Sequence, residues 1–165
     1  MIQDHDAIRD FLEKKAAEFN RPEFIAADPV QIPHRFSREE DIELAGFLTS
    51  TLSWGRRISI IENAGRLMRM MDGEPRKFIM DPNPSRLKKM EGFCHRTFNG
   101  TDALYFIRAL KNLLIKYGSL RAFFETTYGI TASMRETICL FRKAFFSAPC
   151  MPRTLRHLPD IDRGS

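Results

Sequence analysis

Apolar residues recur at intervals of three and four between Asn99 and Gly118, and this pattern constrains the fold more than any other feature of the chain. The apolar positions are Leu104, Ile107, Leu110, Leu114 and Tyr117. Such spacing places the side chains on one face of an α-helix, which buries that face in a core. Asn99 or Thr101 suits the N-cap, and Gly118 suits the C-terminal end. We therefore predict one long, well-capped helix in this segment.

The segment from Ile42 to Leu52 is apolar on nearly every side, which is typical of a helix buried centrally in a domain. Ser37-Arg38-Glu39-Glu40 precedes it and has the pattern of a capping box. In that motif, Ser37 and Glu40 each accept a hydrogen bond from the other's backbone amide. The sequence therefore predicts that a buried second helix begins at Ser37.

Other segments have the same period. Further helices are predicted from about Asp4 to Phe19, Arg57 to Met71, Pro75 to Met80, Ser85 to Glu91, Ser119 to Tyr128 and Ala132 to Phe146. In the first of these, one face carries Ile8, Phe11, Leu12, Ala16 and Phe19, and the other face is charged. No segment alternates apolar and polar residues as a half-buried strand does. We predict an all-α fold, an irregular bundle of about seven helices over residues 1–146, with the 14 phenylalanines filling its core.

The period stops after Phe146. Residues 147–165 contain Pro149, Pro152 and Pro159 and show no sustained helical pattern. We predict a linker or tail that leads to a C-terminal block absent from this chain, so that the chain is a truncated form of a longer protein.

Composition limits the partners. The net charge of +5 and an isoelectric point of about 9.3 permit an anionic partner such as nucleic acid, without requiring one.

The three cysteines form no C-x-x-C pair and the four histidines are isolated, so we predict no metal and no cofactor. No apolar run is long enough to cross a bilayer, and the polar N-terminus is unlike a signal peptide. A cytoplasmic protein with no membrane partner is expected.

Two His-Arg pairs each precede a predicted helix, His34-Arg35 and His95-Arg96. Loops of this kind can present an imidazole and a guanidinium to one anionic group, and helix N-termini also favour anions. In the alternative interpretation, each arginine pairs with a nearby acid such as Asp41 and the following phenylalanine packs into the core. Both interpretations stay open.

Ser53-Trp54-Gly55-Arg56-Arg57 contains the single tryptophan of the chain beside a glycine and two arginines. Such a loop can contact a phosphate backbone or stack on a base. Alternatively, Trp54 fills a gap in the bundle and the arginines are simply solvated.

Taken in order, these motifs resemble a bacterial family of conserved hypothetical proteins that is filed only as a domain of unknown function. The residues that carry the resemblance are His34-Arg35-Phe36, Asp41-x-Glu43, Leu52 to Arg57, Phe93 to Asn99 and Tyr117 to Leu120. Members of that family look distantly similar to the helix-hairpin-helix DNA glycosylases, all-helical enzymes of base excision. The resemblance implies that this chain corresponds to the N-terminal helices and that the glycosylase-like hairpin and its catalytic aspartate lie in a later block.

On this resemblance the full-length protein is expected to bind DNA and to act as a glycosylase-like hydrolase. The expected nucleic-acid-binding residues are His34, Arg35, Trp54, Arg56, Arg57, His95 and Arg96. The chain by itself is expected to be inactive and to self-associate through an apolar face that truncation leaves uncovered. The alternative function is a non-enzymatic helical module for a protein or RNA partner, favoured by the Met68, Met70 and Met71 cluster. A small-molecule enzyme with a pocket between helices is a third possibility.

Overall fold

The computed structural model describes residues 5–163, and over that range the fold is an irregular bundle of nine α-helices. Their bounds are α1 His5–Phe19, α2 Pro22–Ala27, α3 Glu39–Leu52, α4 Arg57–Met70, α5 Pro75–Met80, α6 Pro84–Met90, α7 Gly100–Tyr117, α8 Leu120–Thr131 and α9 Met134–Phe145. Three 3-10 helices cover Pro29–Gln31, Pro33–Arg35 and Thr154–His157. The predicted all-α class is confirmed. The predicted helix start at Asp4 lies outside the described residues.

Helix α7 is the centre of the bundle and packs against α5, α6, α8 and α9. Asn99 is its N-cap, and Asn99 and Asp102 form a reciprocal capping box. Gly118 ends the helix at φ 86°, a conformation that glycine adopts without the steric cost of a side chain. The long helix was therefore predicted correctly at both ends.

Phenylalanine rings fill the space between α3, α7 and α9. Phe106 lies against Phe145 with ring centroids 4.7 Å apart, and Phe47 contacts both rings at 5.6–6.1 Å. These edge-to-face, tilted and stacked pairs are favourable arrangements for aromatic rings. The phenylalanine excess is therefore mainly a packing feature, as predicted.

The predicted capping box at Ser37 is wrong. Helix α3 begins at Glu39, and its N-cap residue, Arg38, makes no side-chain capping bond. The acids of its first turns instead reach other helices. Asp41 accepts a hydrogen bond from the Arg76 amide of α5 at 2.8 Å, and Glu43 accepts from the Leu120 amide of α8 at 3.0 Å. Free amides at helix N-termini favour such carboxylates, so both acids join helices together.

A two-residue antiparallel ladder was also missed. β1 (Cys94–His95) pairs with β2 (Phe98–Asn99), with Cys94 opposite Asn99 and His95 opposite Phe98. Arg96 in the turn has φ 55°, a left-handed conformation. Strands of two residues are too short to produce an alternating pattern, so a search for that pattern overlooks them.

Helix α1 forms where it was predicted, but its apolar face is not covered. No residue of α1 is buried, and Phe11 and Leu12 are 59% and 58% exposed. The apolar stripe of α1 therefore does not pack into the core within the part of the chain that the structure describes. No helix within residues 5–163 is both long and apolar enough to cross a bilayer.

The segment after α9 folds back along α7. Tyr105 donates a hydrogen bond to the Ala148 carbonyl at 2.9 Å, and Thr154 is 1% exposed. Residues 147–163 were predicted as a linker or tail because they lack a period, yet they are held by contacts to α7. We call this segment the strap. Its continuation into a further helical block stays a prediction.

Candidate functional site

A fully buried carboxylate, Asp102, lies where the strap crosses the first turn of α7. Its Oδ2 accepts from the Asn99 amide at 3.0 Å and from Arg153 Nη2 at 2.7 Å, and its Oδ1 accepts from Thr154 Oγ1 at 2.7 Å. Arg153 Nη2 also donates to the Asn99 side-chain oxygen. A buried charge is tolerated when it is paired and hydrogen-bonded in this way. Asp102 therefore fastens the strap to α7.

His157 completes this cluster. Its Nε2 lies 3.3 Å from Asp102 Oδ2, and its ring lies edge-on to Phe98 with centroids 5.0 Å apart. Burial lowers the pKa of His157, and the nearby Asp102 carboxylate only partly opposes this effect. The imidazole is consequently neutral at pH 7, and Arg153 is the cation that balances Asp102.

A cleft of about 740 Å³ opens beside the cluster. One wall is the C-terminal end of α3, and the other is the strap. Its lining residues are Ser50, Thr51, Ser53, Trp54, Thr97, Arg153, Arg156, His157, Leu158 and Pro159. The lining includes two arginines and no acid, so its electrostatic character is positive. Within residues 5–163 no group of three metal-ligating side chains comes together.

Two sequence motifs meet at the mouth of this cleft. The Arg96 guanidinium carbon lies 4.7 Å from the centroid of the Trp54 ring, a cation–π contact. Gly55, which follows Trp54 in the chain, has φ 115°, and a Cβ at that position would lie 2.8 Å from Arg96 Nη1. The glycine thus leaves the space in which the guanidinium stacks on the indole. Trp54 remains 45% exposed.

The hairpin that carries Arg96 is anchored from α4. Arg66 Nη2 donates to the Cys94 carbonyl at 2.7 Å, and its guanidinium lies 4.8 Å above the Phe93 ring. His95 points inward and is 3% exposed, with no hydrogen-bond partner for Nε2 among the described residues. Of the His95-Arg96 pair, only the arginine reaches the surface.

The other predicted site residues are exposed, but none of them lines the Trp54 cleft. Arg57 lies 4.0 Å from Asp28 and lines a second cleft of about 450 Å³, which shares Ser50 and Ser53 with the first. Arg56 is exposed at the N-cap of α4. His34 and Arg35 are also exposed, and neither lines the Trp54 cleft. Arg35 donates instead to Gln31 at 2.5 Å.

Sequence reasoning missed Asp102, Arg153, Arg156 and His157. Three of them belong to the strap, which was interpreted as a linker. The signal that could have found them is the cationic run Arg153-x-x-Arg156-His157 between two prolines, together with an acid at the third position of the best-predicted helix. Prolines restrict the backbone conformation on both sides of these three side chains. A flexible linker does not require such a restriction, so the pattern favours an ordered segment.

The fold and the cleft define a class: an all-helical bundle with a basic, aromatic-edged cleft beside a buried aspartate that pairs with a histidine and an arginine. Residues 28–165 match the family described as "Protein of unknown function (DUF2400)", and the chain belongs to this family. The predicted membership of a family of unknown function is thereby confirmed. Comparison with curated proteins gives no match, and comparison with solved structures gives none.

Proposed function

We propose that this chain binds nucleic acid, with DNA as the partner, through the surface around Trp54 and Arg96. The observation that carries the proposal is the stack of Arg96 on Trp54 at 4.7 Å, at the mouth of a cleft lined by two further arginines. Exposed aromatic rings among arginines are the usual means of contacting bases and phosphates together.

The surrounding charges support a polyanionic partner. Five arginines belong to the proposed binding surface: Arg56, Arg57, Arg96, Arg153 and Arg156. The ion pair of Arg57 with Asp28 is long, at 4.0 Å, and the arginine side chain is 59% exposed. Such a pair contributes little and leaves the guanidinium available to a phosphate. His34 and Arg35 are exposed, whereas His95 is buried and is left out of the proposed interface.

For the whole protein the proposal is a DNA-glycosylase-like enzyme of base excision, in which this chain supplies helices that hold the DNA and a further block supplies the catalytic groups. The support is twofold. The His-Arg and Trp-Gly-Arg-Arg motifs resemble those of a family that looks distantly similar to the helix-hairpin-helix DNA glycosylases, and the fold is all-α as in those enzymes. Such enzymes extrude a base from the duplex, and least energy is needed at a damaged or abasic position.

The test is fluorescence anisotropy with a labelled duplex that contains one abasic site, compared with the matched undamaged duplex. Binding is expected at 50 mM salt, and weaker binding at 200 mM. The association constant K falls as salt rises, and each neutralised phosphate adds about −0.9 to the slope of log K against log salt concentration. The longer family protein is measured in parallel. If neither protein binds either duplex at 50 mM salt, the proposal fails.

The alternative, a non-enzymatic helical module, is favoured by one observation. The apolar face of α1 is exposed, with Ile8, Phe11 and Leu12 each about half or more exposed. Exposed apolar surface on an amphipathic helix is typical of a protein-binding face. A Phe11→Glu variant separates the two functions. Loss of a protein complex in a chain that binds neither duplex supports the module, and DNA binding that persists in the variant supports the DNA-binding proposal. An RNA hairpin in the same anisotropy assay tests RNA as the partner.

A further inference from the structure

The Trp54 cleft has three features that together select one kind of small ligand. Its volume of about 740 Å³ falls within the roughly 300–1,000 Å³ that is typical of small-molecule sites. One edge is aromatic, one wall is cationic, and the polar residues Ser50, Ser53 and Thr97 also line the cleft.

The aromatic edge is available to a planar ligand. Arg96 occupies one face of the Trp54 ring, since a guanidinium can stack on only one side at 4.7 Å. The indole is nevertheless 45% exposed. The apolar side chains of Leu158 and Pro159 line the same cleft, so a flat aromatic group can be enclosed between the indole and the strap.

The cationic wall has one arginine to spare. Arg153 is committed to Asp102 at 2.7 Å, and His157 is neutral because burial lowers its pKa. Arg156 forms no ion pair within the described part of the chain, and it is exposed. Asp160, the acid that follows it in the strap, faces Arg142 and Arg163 at 3.7 and 3.6 Å. The free charge of the cleft is therefore the Arg156 guanidinium, which suits a phosphate.

We propose that this cleft binds a single nucleotide unit, with the base against Trp54 and the phosphate on Arg156. The inference rests on the proposed function and specifies its ligand: one unstacked nucleotide, either at the end of a strand or as a free monophosphate. A nucleoside without phosphate lacks the group that Arg156 recognises, and inorganic phosphate lacks the ring that Trp54 and Leu158 enclose.

Trp54 is the only tryptophan of the chain, so its emission reports on the cleft directly. The experiment titrates the protein with adenosine 5′-monophosphate, adenosine and inorganic phosphate, and equilibrium dialysis of the labelled nucleotide provides a second readout. Saturable binding of the monophosphate is expected, about tenfold tighter than that of adenosine or phosphate. An Arg156→Ala variant is expected to lose about that tenfold difference, whereas Lys88→Ala, an exposed cation on α6 that does not line the cleft, is expected to bind normally.

Three results overturn the assignment: no saturable binding by dialysis, equal affinity for adenosine and its monophosphate, or equal effects of Arg156→Ala and Lys88→Ala. A thymidine oligonucleotide and the duplex, titrated alongside, separate this inference from the proposed function. Binding of DNA without binding of the monophosphate overturns the cleft assignment alone. Binding of the monophosphate without binding of DNA overturns the proposed function alone, and absence of both overturns both.

Discussion

The guanidinium of Arg153 lies 2.7 Å from the carboxylate of Asp102, a residue 51 positions earlier in the chain. The carboxylate is fully buried, while the arginine side chain is 40% exposed and borders the cleft. One ion pair thus links the core of the bundle to the wall of the candidate site. The position of Arg156 and His157 depends on this link, because both follow Arg153 in the short 3-10 helix of the strap.

Asp102→Ala is expected to lower the free energy of unfolding by roughly 2–4 kcal/mol, because the variant loses a capping box and leaves buried donors without an acceptor. Urea unfolding followed by circular dichroism measures the change. Asp10→Ala on the exposed face of α1 is the matched control and is expected to change stability by less than about 0.5 kcal/mol. Equal stabilities of the two variants would contradict the role given to Asp102.

His157 makes stability depend on pH in a defined direction. Its folded-state pKa is lowered by burial, so below an unfolded-state pKa of about 6.5 the unfolded chain binds more protons than the native one. At pH 8 His157 is neutral in both states and does not destabilise the native state. As pH falls through 6.5, the native state becomes less stable. His157→Gln is expected to reduce the loss of stability between pH 8 and pH 5.5, measured as the shift in the urea midpoint. An unchanged pH dependence in the variant would show that His157 is not the group responsible.

Gly100 has no room for a side chain. A Cβ there would overlap the carbonyl oxygen of Glu91, which is backbone and cannot rotate away. Gly100→Ala is therefore expected to cost about 3 kcal/mol or to prevent folding. Gly129→Ala is the control in α8, where a Cβ meets nothing within 4 Å, and it is expected to stabilise the protein by roughly 0.5–1 kcal/mol. Thermal unfolding of both variants tests this pair, and similar melting temperatures would rule out the close contact.

Gly55→Ala is expected to separate Trp54 from Arg96. The residue has φ 115°, which L-amino acids rarely adopt, and its new Cβ would lie 2.8 Å from Arg96 Nη1. The expected result is a red shift of Trp54 emission, since the indole becomes more solvated, with global stability lowered by about 1–2 kcal/mol. An emission spectrum identical to that of the unaltered protein would contradict the stacked arrangement.

The exposed stripe of α1 predicts self-association. Phe11→Glu is expected to leave stability within about 0.5 kcal/mol, because the ring is 59% exposed, and to shift the protein towards monomer. Light scattering over a range of concentrations measures the effect. A monomeric unaltered protein at the highest concentration would count against an apolar interface at this face.

Local pattern was sufficient for the helices whose signals lie within a few residues. The α7 stripe, its Asn99 cap and its Gly118 end are all read from adjacent positions, and each is where it was predicted. The apparent capping box at Ser37 failed for the opposite reason. Asp41 and Glu43 of α3 accept hydrogen bonds from the amides of Arg76 and Leu120, which lie 35 and 77 positions away. A local sequence pattern does not contain partners at such distances.

The candidate site was only partly predictable for the same physical reason. Trp54 and Arg96 were both singled out, but their contact depends on two left-handed turns, at Gly55 and at Arg96 itself. The strap was missed because it is ordered by a buried carboxylate 51 residues away and not by its own period. Exposure of His95 could not be judged either, since a two-residue strand determines which way its side chain points.

The most direct test of nucleic-acid binding compares two double variants with equal changes of charge. Arg96→Ala/Arg156→Ala removes two arginines at the mouth and wall of the cleft, and Lys88→Ala/Lys89→Ala removes two exposed lysines of α6. The measurement is the slope of log K against log salt for the abasic duplex. The slope is expected to become less negative by about 1.8 in the first variant and to stay unchanged in the second. Equal slopes in the two variants would contradict a DNA interface at Trp54 and Arg96.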